Sequence, residues 1–164
     1  MIKTGILFVF SLQFYFSYAQ INPAYRDSFC TILHSSIQSV FTDVPDTVYM
    51  GTSLENLRSL GNIRMQKQLP GGAQMDSLEW SSGQLLFHST LLTFELDIEG
   101  RKKIYGYLKN LLLSCLPGWK SSETRSRTST DLPFLTFLDS GRNLRLVLYA
   151  EQKEKLSQFK LRLE

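Results

Sequence analysis

The chain has 164 residues, 18 Lys plus Arg against 15 Asp plus Glu for a net charge of +3, and 43% hydrophobic residues. So small a charge excludes the concentrated basic face that nucleic acid demands, and ordinary apolar and charged fractions exclude wholesale disorder. Two cysteines form an even set, which in an exported chain predicts a disulfide.

The first nineteen residues, MIKTGILFVFSLQFYFSYA, have the form of a signal peptide. Lys3 supplies the positive start, Gly5 to Phe16 the apolar stretch, and Ser17 and Ala19 the small residues before a cut. The apolar stretch is short for a bilayer span, and no later one is longer, so no transmembrane segment is expected after cleavage. No cysteine follows the cut, which argues against a lipid anchor. Loss of Lys3 leaves a net charge of +2. Residues 20–164, about 145 in all, are enough for a single α+β domain with one core.

Asn22-Pro23 predicts a helix start, with Asn as N-cap and proline at the first helical position. The helix runs to about Val44 and buries Phe29, Leu33, Ile37, Val40, Phe41 and Val44, with Cys30 at the border of that stripe. Pro45-Asp46 ends it. Between Asp46 and Asn62, Val48 to Met50 suggests a short extended piece, and Leu54, Leu57 and Leu60 either a helical turn or a loop packed over an edge. Ile63–Leu69 and Ala73–Trp80 flank the turn Pro70-Gly71-Gly72, as a hairpin or as one irregular strand. After Ser81-Ser82-Gly83, the longest strand runs from Leu85 to Ile98. In its second half Leu92, Phe94, Leu96 and Ile98 alternate with Thr93, Glu95 and Asp97.

Arg101 to Trp119, RKKIYGYLKNLLLSCLPGW, reads as an amphipathic helix. Ile104, Leu108, Leu111 and Cys115 carry its apolar stripe, widened by Tyr107 and Leu112, and Pro117-Gly118 stops it. Lys120 to Asp131 is rich in Ser, Thr and Arg without apolar periodicity and is expected to be a loop. Three strands follow: Phe134–Leu138, the alternation through Leu144, Leu146, Leu148 and Ala150, and Leu156–Glu164. Asp139-Ser140-Gly141-Arg142 and Glu151 to Lys155 are the turns between them. The expected fold is an α+β two-layer sandwich: an antiparallel sheet of about five or six strands with two long helices on one face.

The order of elements resembles the small chaperones of bacterial type III secretion. Those chaperones are cytoplasmic, and the leader sets this chain apart from them, so their function is not carried over. The leader, the length and the helix ending CLPGW (Cys115 to Trp119) look like exported single-domain bacterial proteins of unknown function.

The cysteines come first among candidate constellations. Cys30 lies early in the first helix and Cys115 at the end of the second; antiparallel helices bring these ends together. A bridge closing that loop of about 85 residues stabilises by on the order of 4 kcal/mol in the chain-entropy model. No C-x-x-C spacing points to redox work. His34 and His88 have no partner at ligand spacing, so no metal and no cofactor is expected. Glu95 and Asp97 share a strand face roughly 7 Å apart by strand rise. As the polar side of a half-buried strand they are solvated; as a pair they, with His88, are the acids of a small envelope hydrolase. His88 differs from them in strand parity, and only a bulge brings all three to one face. Trp80 and Trp119 stand beside turns and mark a recognition surface if both are exposed on one face. Arg101-Lys102-Lys103 and Lys120, Arg125 and Arg127 flank opposite ends of the helix and do not form one basic patch.

With no converging catalytic residues, the sequence points to a non-catalytic module of the bacterial periplasm or cell exterior. Its partner is an unknown protein or envelope component, held by the polar sheet face or an open strand edge. Leu156–Glu164 is the edge considered, where Lys160 and Arg162 either contact a partner strand or repel one. A binder that neutralises a toxin or secreted effector is a special case of the same reading.

Overall fold

The computed structural model describes residues 21–45, 51, 53–65, 68–70, 76–95, 97–125, 132–153 and 156–164. The leader, Val48–Met50, Gly71-Gly72, Ala73, Leu96, Arg127 and the Glu154-Lys155 turn lie outside them.

Helix α1 is Pro23–Thr42, with the Asn22 side chain accepting the Ala24 amide at 2.9 Å and proline in the first turn. It ends at Asp43, whose left-handed backbone (φ 53°) stops the helix, and whose carboxylate accepts the Leu85 amide at 2.9 Å. Its buried stripe is Phe29, Ile32, Leu33, Ile37 and Val40 with Ser36 and Ser39; Phe41 and Val44, expected inside, are exposed, Phe41 lying 5.9 Å from the Arg142 guanidinium and Val44 falling beyond the end of the helix. Helix α2, Leu54–Leu60, is N-capped by Ser53 and inserts Leu57 into the core. Of the two alternatives for this stretch, the helical turn is the one adopted.

Strands β1 (Asn62–Arg64), β2 (Ser77–Ser81) and β3 (Gln84–Phe94) follow, then helix α3 (Ile98–Cys115), then β4 (Lys120–Thr124), β5 (Phe134–Asp139), β6 (Leu144–Lys153) and β7 (Leu156–Leu163). All seven strands join one open antiparallel sheet in the order β1-β2-β3-β7-β6-β5-β4. The α+β class and the two helices packed on the sheet are as expected; the sheet has one strand more than the upper count, and that strand is β4.

Several boundaries differ from expectation; β1 ends at Arg64, α3 at Cys115, and β6 continues to Lys153 through residues expected to turn. The long strand ends at Phe94, not Ile98, because Asp97 turns the chain: its carboxylate accepts the Gly100 amide at 2.7 Å and caps α3. Helix α3 accordingly begins three residues before Arg101. Lys120–Thr124, expected within a loop, is a strand whose five side chains are all exposed, so no apolar alternation marked it.

The inward positions of the sheet alternate as the pleat requires. Leu78, Phe87, Leu135, Phe137, Leu146, Leu148, Phe159, Leu161 and Leu163 meet the buried faces of α1 and α3 in one core. Each fully buried Leu or Phe contributes about 1.5–3 kcal/mol relative to exposure. The register of β3 against β7 shifts between Thr90 and Leu92. This bulge turns both Leu91 and Leu92 toward the core. Cys30 and Cys115 are disulfide-bonded, Cα atoms 5.0 Å apart, and tie the early part of α1 to the end of α3. No helix among the described residues is long and apolar enough to cross a membrane.

Candidate functional site

The C-terminal strand is not an edge. β7 lies between β3 and β6, hydrogen-bonded on both sides, so the proposal that it accepts a partner strand fails. Lys160 and Arg162 project from its outer face instead. Lys160 pairs with Glu151, and Arg162 Nη2 lies 2.9 Å from Glu164 Oε2, whose other oxygen is 3.4 Å from Arg145 Nη1. Both side chains are thus held in cross-strand and neighbouring ion pairs of the kind that lace a solvated sheet face.

His88 stands on the same outer face, opposite Arg162 on β7 and Ser77 on β2. Its Nε2 lies 3.2 Å from Glu79 Oε2, but the approach is not that of a well-formed hydrogen bond. Burial lowers the imidazole's pKa against the opposing pull of Glu79, with Arg162 adding to the depression. Glu95 and Asp97 do not join it. The bulge does restore strand parity between His88 and Glu95, but seven residues of strand separate them, roughly 20 Å. Asp97 spends its carboxylate on the α3 cap. His34 is exposed on α1. Among the described residues no three His, Cys, Asp or Glu side chains gather as metal ligands do.

Trp80 and Trp119 are both half-buried against the core margin. Arg58 stacks 4.5 Å from the Trp80 ring, and Arg142 lies 5.6 Å from that of Trp119. Trp80 is in β2 and Trp119 adjoins β4, five strand spacings away across the sheet order, roughly 24 Å. They do not form one surface.

What the geometry does gather is at the β4 edge. β4 pairs with β5 through Lys120–Leu138, Ser122–Thr136 and Thr124–Phe134 on the outer face, and through Ser121–Phe137 and Glu123–Leu135 on the inner. The inner side is anchored: Glu123 Oε1 accepts from Lys109 Nζ at 2.7 Å and from the Tyr105 hydroxyl at 3.3 Å, both on α3. The Lys109 hydrogen bond holds the Glu123 carboxyl below its usual range, and burial together with Glu123 pushes the Tyr105 phenol up. The outer side is open. Phe134 and Leu138 are 42% and 41% exposed, Phe134 stacks on Tyr149 at 6.0 Å between ring centres, and among the described residues only Ser122 and Thr124 stand between Phe134 and the outer edge of β4. The opposite edge differs: β1 has three residues, and α2 packs against it and β2.

Among the described residues two charged side chains are buried. Asp76, 1% exposed, precedes β2 and accepts hydrogen bonds from the Leu69 amide and the Ser89 hydroxyl. Burial raises its pKa, opposed by these bonds and by Arg64. Arg101, 9% exposed, donates from Nη1 to Gln152 Oε1 at 3.3 Å, and its Nε is buried without a partner. Neither was singled out from the sequence as buried. For Arg101 a signal existed, since it continues the spacing of Tyr105, Leu108, Leu112 and Cys115 toward the N-terminus. For Asp76 there was none.

No family model, no curated protein and no solved structure matches the chain.

Proposed function

We propose that this chain is an exported, non-catalytic binding module of the bacterial periplasm or cell exterior, and that it takes an extended segment of a partner protein by strand addition to β4. One observation carries the reading. β4 is a five-residue edge strand with every side chain exposed, without proline or bulge, beside the exposed apolar pair Phe134 and Leu138. A free edge offers unpaired backbone donors and acceptors, which give affinity, and side-chain contacts at alternate positions, which give specificity. The segment that fits has apolar residues at every second position, reaching over Ser122 and Thr124 toward Leu138 and Phe134. The signal-like first nineteen residues and the disulfide support an oxidising compartment outside the cytoplasm. An envelope protein and a secreted toxin or effector are both partners that such a segment can come from.

The test is site-specific photo-crosslinking in cells from positions 121 and 122, compared with positions on exposed α1. A partner crosslinked from β4 and not from α1 is expected. Ser122→Pro blocks strand addition, and Phe134→Gln with Leu138→Gln removes the apolar contacts without touching the β4 backbone. Both variants should lose the crosslink while keeping the disulfide and the far-ultraviolet spectrum. A partner that crosslinks from α1 instead, or that ignores both variants, defeats the proposal.

A further inference from the structure

We propose that Arg101 is the base of a small oxyanion site beneath the first turn of α3, which takes a phosphate or carboxylate group. A guanidinium presents five N–H donors in a planar fork and cannot be deprotonated in a protein. Here one donor is engaged, at 3.3 Å with a neutral amide, and Nε has no partner. Arg101 takes part in none of the ion pairs formed among the described residues. A charge so placed is costly unless a counter-ion completes it.

The surroundings favour an anion from solution over a side chain of the same turn. The two acids there are already committed: Asp97 caps Gly100 at 2.7 Å, and Glu99 pairs with Lys102 at 2.8 Å. Arg101 is the fourth residue of an eighteen-residue helix, so its guanidinium lies at the positive end of the helix dipole. Helical side chains lean toward the N-terminus, which carries the fork back along that turn. Gln152, in β6, is exposed and sits opposite Ser157 of β7 on the inner face of the sheet, so the one partner of the guanidinium reaches solvent. An oxyanion that takes the place of the Gln152 amide oxygen would accept from the fork in the paired geometry that carboxylate and phosphate share. The site lies on the inner face of the sheet and does not involve the β4 edge.

The experiment uses the oxidised chain at neutral pH, titrated with phosphate, acetate or chloride at constant ionic strength while thermal unfolding is followed. Phosphate or acetate should raise the melting temperature saturably where chloride does not, because a ligand of the folded state stabilises by mass action. Response to phosphate alone assigns a phosphate ester, and response to acetate alone a carboxylate. Arg101→Met should abolish the rise. Arg101→Lys, which keeps the charge and loses the fork, should weaken apparent affinity by about tenfold or more. An equal rise with chloride, or an undiminished rise in Arg101→Met, overturns the proposal. Should Arg101→Met not fold, the Nε–Hε resonance of Arg101 in the wild-type chain decides: it must move on titration with the effective anion, and a stationary resonance overturns the site.

Discussion

Asp76 and Arg101 are both charged residues taken into one core, and they are treated in opposite ways. Asp76 is answered locally: an amide from the stretch before it, a hydroxyl from β3 and the nearby charge of Arg64 all face its carboxyl. It pins Leu69 to the inner face of the sheet, and Met65 donates its amide to the Asp76 carbonyl at 2.9 Å. Arg101 has one long bond to an exposed amide. A buried group whose bonds are met by its own fold is a fastening. One whose bonds are left open is poised for something the fold does not contain. The comparison makes different demands on the two sites, and substitutions can test each.

The largest expected effect concerns what both sites share. The Cys30–Cys115 bond holds α1 against α3, and both helices cover the face into which Asp76 and Arg101 are drawn. Cys30→Ser with Cys115→Ser should cost about 4 kcal/mol in urea unfolding, because the bond closes a loop spanning 85 positions. The effects of substituting Asp76 and Arg101 should persist in that background. Ser89 and Phe94, which mark the two sites on β3, are five residues apart, roughly 16 Å, and sites at that distance add. A loss well under about 1 kcal/mol would mean that packing alone fixes the helices.

Next comes Asp76 itself. Asp76→Ala strands the Leu69 amide and the Ser89 hydroxyl in the core and should cost about 2–4 kcal/mol. Asp76→Asn should cost less than about 1.5 kcal/mol, since its oxygen can accept from Leu69 while its amide donates to Ser89, whose hydroxyl reverses role. The pair also separates hydrogen bonding from charge. Burial raises the Asp76 pKa in the folded state, so between the unfolded value near 3.8 and the folded value the native chain keeps a proton that the unfolded chain has lost. The stability this group contributes is therefore complete below the unfolded pKa and declines as pH rises through the folded one. Measured from about pH 3 to pH 7, the stability of wild type relative to Asp76→Asn should fall with rising pH. A difference that stays flat, or rises, shows that the carboxyl's bonds outweigh its burial.

The main architecture was legible from the sequence because it rests on periodicity. The stripe of α1, the stop at Pro117-Gly118 and the alternations through Leu144–Ala150 and Phe159–Leu163 each repeat one burial decision several times. The Cys30–Cys115 bond was expected on other grounds, the even cysteine count and the leader, and the two helices that carry it are joined as that expectation required. What escaped notice depends on single residues or on the neighbours a strand acquires. β4 shows no alternation because it lies at an edge, and its pairing comes from backbone groups that every sequence carries. The strand order that puts β7 in the centre is set by long-range pairing, which a chain read in order does not reveal. Alternation through Leu96 and Ile98 predicts strand at Asp97, past the point where its carboxylate starts a helix. Asp76 and Arg101 carry no mark of burial that sets them apart from other charged residues, beyond the place of Arg101 on the helical spacing of Tyr105, Leu108, Leu112 and Cys115, so the pair of groups on which the comparison turns was the least visible part of the chain.

The smallest expected effect falls on Arg101. In the absence of oxyanion, Arg101→Met should leave stability within about 1 kcal/mol of wild type, or raise it, because replacing a buried charge that lacks a partner with an apolar side chain of similar length removes a desolvation penalty. Urea unfolding in a buffer without phosphate or carboxylate provides the measurement. The sign carries the argument. If Arg101→Met lost several kcal/mol under those conditions, the guanidinium would be bonded within the fold as Asp76 is, and the contrast between the two charges would disappear. If it is neutral or stabilising, Arg101 is a residue whose retention the stability of the chain does not explain, which is what a group kept for an anion predicts.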